Sequence, residues 1–173
     1  MEILLLTGER NTGKSGIVYD IADWLQRSRG YTIDRTFNGN SFIVPKPADN
    51  CDIEILLTGK KQILLHAPTD DEMCIDNLCN NLEALANDNI SPNILITTCR
   101  RFDDQMRRYE CGQMGWVPAT STYDLLNDSH GRPILEIPLL RIRYDAFDPV
   151  NAWYKAHINR NVQQILLHSP YEV

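Results

Sequence analysis

The sequence has no apolar run that approaches the roughly 18 residues needed for a membrane-spanning helix. It also lacks a CxxC pair, and its five cysteines are odd in number, which argues against a zinc ribbon and against a disulfide framework. The chain opens directly on strand-like residues, so we expect no signal peptide. Its net charge of −6 argues against a general nucleic-acid-binding surface. These absences predict a soluble, reduced, cytoplasmic protein.

The composition is that of an ordinary globular chain. Of its 173 residues, 43% are hydrophobic and 23% are charged. This length suits one domain with a sizeable core, so we predict a single domain over residues 1–173.

The most informative segment is the glycine loop, residues 8–15, which reads GERNTGKS. It fits the phosphate-binding pattern G-x-x-x-x-G-K-[ST]. Backbone N–H groups must wrap closely around a polyphosphate, so glycine is needed where the chain approaches it most closely, here at Gly8 and Gly13. The ammonium of Lys14 is then able to reach the β- and γ-phosphates, and the Ser15 hydroxyl is able to ligate Mg²⁺.

The flanking sequence fits this interpretation. Residues 3–6 form a short apolar run typical of a buried strand. After the loop, apolar residues recur at helical spacing, and Gly30 stands where a helix C-cap is expected. The alternative is an ordinary strand-to-helix turn with a solvated Lys14. That alternative leaves a cation at a helix N-terminus, where the helix dipole disfavours it.

On these residues the chain resembles the P-loop NTPase superfamily. The resemblance implies binding of a nucleoside triphosphate with Mg²⁺, followed by hydrolysis or by transfer of the γ-phosphoryl group. It places nucleotide binding at Gly8, Glu9, Arg10, Asn11, Thr12, Gly13, Lys14, Ser15 and Gly16.

The remaining pattern predicts alternating strands and helices. Two hairpins are expected, one turning at Asn38-Gly39 and one over residues 53–65. Helices are predicted after the capping box at residues 69–72, over residues 102–109 and from Pro149 onward, with strands at residues 94–96, 134–137 and 139–144. The fold class is therefore α/β: a three-layer α/β/α sandwich with a mostly parallel sheet, P-loop NTPase-like, with an inserted β-hairpin region.

The acidic residues expected at the end of a central strand come late. The apolar run at residues 63–65 is followed by His66, and the first acids are Asp70 and Asp71. In a catalytic interpretation Asp70 or Asp71 holds Mg²⁺, with Asp70 and Ser15 as the predicted metal ligands, and a neighbouring carboxylate orients water. Alternatively, these acids only stabilise the following helix through its dipole. His66 is either close to the γ-phosphate or a buried, hydrogen-bonded residue.

The motifs expected of guanine-specific proteins are missing. Residues 70–73 do not read DxxG, and residues 97–100, where an NKxD pattern is expected, read TTCR. ATP is therefore favoured over GTP as the nucleotide.

The densest basic group contains Arg100 and Arg101, with Arg107 and Arg108. Guanidinium groups bind phosphate oxygens in pairs, so Arg100 and Arg101 are candidates for a lid that clamps the transferred phosphoryl group. Alternatively, Arg107 and Arg108 form i,i+4 ion pairs with Asp103 and Asp104 on an exposed helix.

Two functions follow. The first is a Mg²⁺-dependent ATPase or kinase-like phosphotransferase, with Lys14, Asp70, Asp71, Arg100 and Arg101 as catalytic residues and a small molecule as a possible acceptor. The second is a nucleotide-binding regulatory or interaction module with little turnover, in which bound nucleotide controls a surface for a protein partner.

Overall fold

The fold is given by a computed structural model that describes residues 1–8, 12–39, 42, 51–68, 72–100, 126, 134–140 and 149–173. Within these ranges the chain forms a six-stranded sheet and three helices. The strands are β1 (Glu2–Gly8), β2 (Thr32–Thr36), β3 (Glu54–Thr58), β4 (Gln62–His66), β5 (Ile94–Arg100) and β6 (Ile134–Leu139). The helices are α1 (Lys14–Arg29), α2 (Glu72–Asn87) and α3 (Pro149–Leu167).

The described strands are ordered β2-β3-β4-β5-β1-β6. Strand β1 pairs in parallel with β5 and with β6, and β4 pairs in parallel with β5. In contrast, β3 is antiparallel to both β2 and β4. The α/β class is confirmed, but the sheet is mixed, so the predicted mostly parallel sheet holds only in part. A short hairpin joins β3 to β4, and such a connection forces antiparallel pairing.

Successive strand residues point to opposite sides of the sheet and enter two separate hydrophobic clusters. One cluster contains Leu4 and Leu6 of β1 together with residues of α1 and α3. The other contains Ile3 and Leu5 together with Leu78 and Leu85 of α2. All four β1 residues are fully buried, which explains the continuous apolar run in the sequence.

Helix α1 follows β1 as the sequence predicts. Its inner side buries Ile17, Ile21 and Leu25. It ends at Gly30, whose φ of 71° is left-handed and whose N–H donates to the carbonyl of Leu25. The predicted glycine C-cap is confirmed, because glycine adopts this backbone conformation without a steric penalty from Cβ.

The hairpin predicted over residues 53–65 is confirmed as β3 and β4, and β4 lies inside the sheet between β3 and β5. The first arm of the hairpin predicted around Asn38-Gly39 is β2, which among the described strands pairs with β3. Of the second arm, only Phe42 is described, and its ring stacks on Tyr19 of α1 with ring centroids 4.6 Å apart.

Strand β6 runs through Pro138, although residues 134–137 and 139–144 are predicted as two strands separated there. Proline lacks an N–H, but β6 lies at an edge of the described sheet, where that donor is not needed for a second neighbour. The predicted helix over residues 102–109 lies outside the described residues. Within the described ranges, no helix combines the length and apolar character needed to cross a membrane.

Candidate functional site

The carboxyl ends of the parallel strands meet at one edge of the sheet. Gly8 at the end of β1 is opposite Arg100 of β5 on one side and Leu139 of β6 on the other. His66 at the end of β4 is opposite Thr97. The glycine loop therefore begins at the edge where ligands bind in open α/β sheets.

Gly8 occupies a position with no space for a larger residue. A Cβ added there would lie 2.7 Å from the carbonyl oxygen of Leu139 and 2.9 Å from Oγ1 of Thr12. The first contact is with backbone, so it cannot be relieved by a side-chain rotation. The requirement for glycine at this end of the loop thus follows from the close approach of β6 and of the loop itself.

Gly13 forms the start of α1 and has a left-handed backbone, with φ of 84°. Its carbonyl accepts the first helical hydrogen bond from the N–H of Ile17 at 3.0 Å. No side chain caps this end, and the first turn contains no acidic residue. The positive end of the helix dipole is therefore not offset by a carboxylate in the first turn.

Lys14 is the first residue of α1, and its side chain folds back towards the end of β1. Its Nζ donates a hydrogen bond to the carbonyl oxygen of Gly8 at 3.2 Å, and only 7% of the residue is exposed. Burying an ammonium is costly unless polar groups surround it. The loop thus holds a cation at the N-terminus of a helix, at the sheet edge where Ser15 and Gly16 also lie.

A second lysine approaches the same loop from α3. The Cε atom of Lys155 lies 3.0 Å, and its Nζ atom 3.5 Å, from the position that a Cβ on Gly13 would occupy. Sequence reasoning missed Lys155. The available signal was its helical spacing with Ile158 and Val162, which places it on the same side of α3 as these two core residues.

A buried polar network lies farther along the same edge, where β3 starts opposite the end of β4. Glu54 and His66 are paired across the two strands, and both are fully buried. Oε2 of Glu54 accepts hydrogen bonds at 2.7 Å from the side-chain amides of Asn38 and Asn81. These bonds tie α2 and the turn after β2 to this end of the sheet.

His66 is held inside that network. Its Nδ1 lies 3.5 Å from Oγ1 of Thr97, and its Nε2 lies 3.7 Å from Oε2 of Glu54. Nε2 has no hydrogen-bond partner among the described residues. Burial lowers the pKa of His66 to about 4, and the negative charge of Glu54 opposes this shift only in part. Of the two roles predicted for His66, the structure shows the buried one, since the side chain has no exposed surface that a phosphate could contact.

Sequence reasoning also missed Glu54. The available signal was a single acidic residue beside the apolar run at residues 55–57, since a charged residue in a buried strand needs polar partners.

Several predicted site residues lie outside what the structure describes. Among them are Glu9, Arg10 and Asn11 of the loop, the acids Asp70 and Asp71, and Arg101. Arg100 is described only as the last residue of β5. The described residues contain no group of three or more His, Cys, Asp or Glu side chains placed to hold a metal ion.

The described part of the site therefore brings together Gly8, Thr12, Gly13, Lys14 and Ser15, with Lys155 beside them. No protein-family model, curated protein or solved structure matches the chain.

Proposed function

We propose that this protein binds ATP with Mg²⁺ at the glycine loop, and hydrolyses it or transfers its γ-phosphoryl group to a small acceptor. The observation that carries the proposal is the position of Lys14. Its buried ammonium donates to Gly8, the last residue of a parallel strand, from the start of a helix without a capping side chain. Such a helix N-terminus attracts anions, and a lysine at this point adds a full positive charge.

The loop supplies the groups that a triphosphate needs. Backbone N–H groups at the start of α1 bind phosphate oxygens, Lys14 neutralises their charge, and the Ser15 hydroxyl ligates Mg²⁺. Asp70 is proposed to complete the metal site, and Asp71 to orient the attacking water. Arg100 and Arg101 are proposed to stabilise the charge that develops on the transferred phosphoryl group. Bound Mg²⁺ supplies neutralisation of the phosphate charge during the reaction.

The alternative, a nucleotide-binding regulatory module with little turnover, is favoured by one feature of β4. At the end of this strand and directly after it, where a metal-binding carboxylate is expected, the chain has His66 and Ala67, both buried. Glu54, which is paired with His66 across the two strands, accepts hydrogen bonds from Asn38 and Asn81 inside the protein. In this alternative, bound nucleotide orders the segments around the loop and exposes a surface for a protein partner.

The finer description of the fold belongs to the same proposal. The two clusters on opposite sides of the sheet support a three-layer α/β/α sandwich, with α1 and α3 on one side and α2 on the other. We infer one domain over residues 1–173, P-loop NTPase-like in architecture and located in the cytoplasm.

The experiment is a panel of ATP, GTP, ADP and AMP with and without Mg²⁺, read by thermal shift and by phosphate release. Stabilisation by Mg²⁺-ATP with steady phosphate release supports the enzyme. Stabilisation without release, and without transfer to added acceptors, supports the binding module. Absence of stabilisation by any nucleotide contradicts both. GTP stabilising the protein as strongly as ATP contradicts the preference for ATP.

A further inference from the structure

Lys155 is an exposed residue of α3 whose side chain reaches the glycine loop. Its terminal carbon and its ammonium nitrogen lie 3.0 and 3.5 Å from the position that a Cβ on Gly13 would occupy. A side chain on residue 13 would therefore crowd the end of Lys155, which would have to shift by a few tenths of an ångström. Glycine at this position leaves space for the lysine as well as allowing the left-handed backbone.

The position of Lys155 is fixed by contacts on both sides of it along α3. The backbone N–H of Leu140, just beyond β6, donates to the hydroxyl of Tyr154 at 2.9 Å. The side-chain amide of Asn159 donates to Asp20 of α1 at 2.7 Å. Val162 is fully buried in the cluster that α3 shares with α1. These contacts fix the first part of α3 next to Gly13.

The positive charges beside Gly13 favour binding of an anion. Lys14 and Lys155 bring two ammonium groups to one loop, at the positive end of the α1 dipole. An anion bound at this end of α1 is attracted by the helix dipole and by both ammonium groups, so these charges favour a polyphosphate as the ligand.

We propose that Lys155 is a second phosphate-binding cation, so that α3 contributes to the triphosphate site beside Gly13. This inference rests on the proposed function, because it assigns a further residue to the same site. Its consequence is selection by charge: removing Lys155 weakens binding of ATP more than binding of AMP, which carries fewer negative charges.

The test compares three purified variants with the wild type by calorimetric titration with Mg²⁺-ATP and with AMP. Lys155→Met keeps the length and the apolar stem but removes the charge, and Lys155→Arg keeps the charge. Arg160→Met removes a charge from an exposed position on the same helix and is the matched control. Melting without nucleotide checks that each variant folds.

We expect Lys155→Met to weaken Mg²⁺-ATP binding about tenfold, the usual loss for one charge-assisted hydrogen bond to phosphate. Lys155→Arg should stay close to wild type, Arg160→Met should match wild type, and AMP binding should change little in Lys155→Met. Equal ATP affinity in wild type and Lys155→Met overturns the inference while the proposed function stands. Equal losses in Lys155→Met and Lys155→Arg also overturn it, since they indicate packing rather than charge. A wild type that does not bind ATP overturns the proposed function and this inference together.

Discussion

Lowering the pH from 7 to 5 should destabilise the protein through one buried side chain, His66. In the folded protein its ring is fully buried, and Nε2 faces Glu54 at 3.7 Å without a hydrogen bond. Burial lowers the pKa of His66 from 6.5 to about 4. The unfolded chain therefore binds a proton more readily than the folded protein does, and acid favours unfolding.

The size of the effect follows from that shift. The contribution of neutral His66 to the free energy of unfolding is fully present above pH 6.5. It is lost as the pH falls from 6.5 towards 4, since the pKa of His66 is lower in the folded protein than in the unfolded chain. Each pH unit inside this window is worth about 1.4 kcal/mol, so the free energy of unfolding should fall by about 2 kcal/mol between pH 7 and pH 5 from this residue.

The assay is urea unfolding at several pH values for wild type, His66→Gln and His168→Gln. His168 is an exposed histidine just after α3, so its variant should keep the pH dependence of wild type. In His66→Gln the free energy of unfolding should fall by about 2 kcal/mol less between pH 7 and pH 5 than it does in wild type. An unchanged pH dependence in His66→Gln would refute the reasoning. A wild type that gains stability in acid relative to His66→Gln would show instead that His66 is protonated and forms an ion pair with Glu54.

Two further substitutions test the loop and the network. Gly13→Ala should weaken Mg²⁺-ATP binding and lower the free energy of unfolding by about 1–2 kcal/mol, because φ is 84° and the new methyl group meets Lys155. Gly30→Ala, with φ of 71° and no neighbour within 4 Å, should lose similar stability but bind ATP normally. Equal ATP binding by both variants would contradict the role of Gly13. Asn81→Ala should lower the free energy of unfolding in urea by about 2–3 kcal/mol, because it removes a donor from the buried Glu54 carboxylate. Asn80→Ala, at an exposed position of the same helix, should lower it by under about 0.5 kcal/mol. Equal losses in the two variants would contradict the network.

The local elements near the site could be predicted from sequence because their signals are local. The apolar run of β1, the glycine pattern and the helical spacing of Ile17 and Ile21 identify a strand, a loop and a helix within a short stretch. Gly30 indicated the end of that helix for the same reason. The β3–β4 hairpin likewise depends on neighbouring residues.

Features that depend on distant parts of the chain could not be predicted in this way. Among the described strands β2 pairs with β3, which follows it only after a long connection, and the local turn signal at Asn38-Gly39 gives no information about that pairing. The burial of Glu54 depends on amides from another helix and another turn. Lys155 reaches the loop only because α3 packs against α1, and a helical pattern alone does not identify the helix it will contact.

The central claim is that Lys14 holds the phosphates of a nucleotide, and thermal melting of wild type, Lys14→Ala and Lys60→Ala with Mg²⁺-ATP tests it directly. Lys60 is an exposed lysine in the β3–β4 turn and serves as the control. With ligand at about a hundred times its Kd, wild type and Lys60→Ala should gain about 5–10 °C in Tm. Lys14→Ala should melt cooperatively without nucleotide and gain almost nothing from it. A full ligand-induced rise in the Tm of Lys14→Ala would contradict the account.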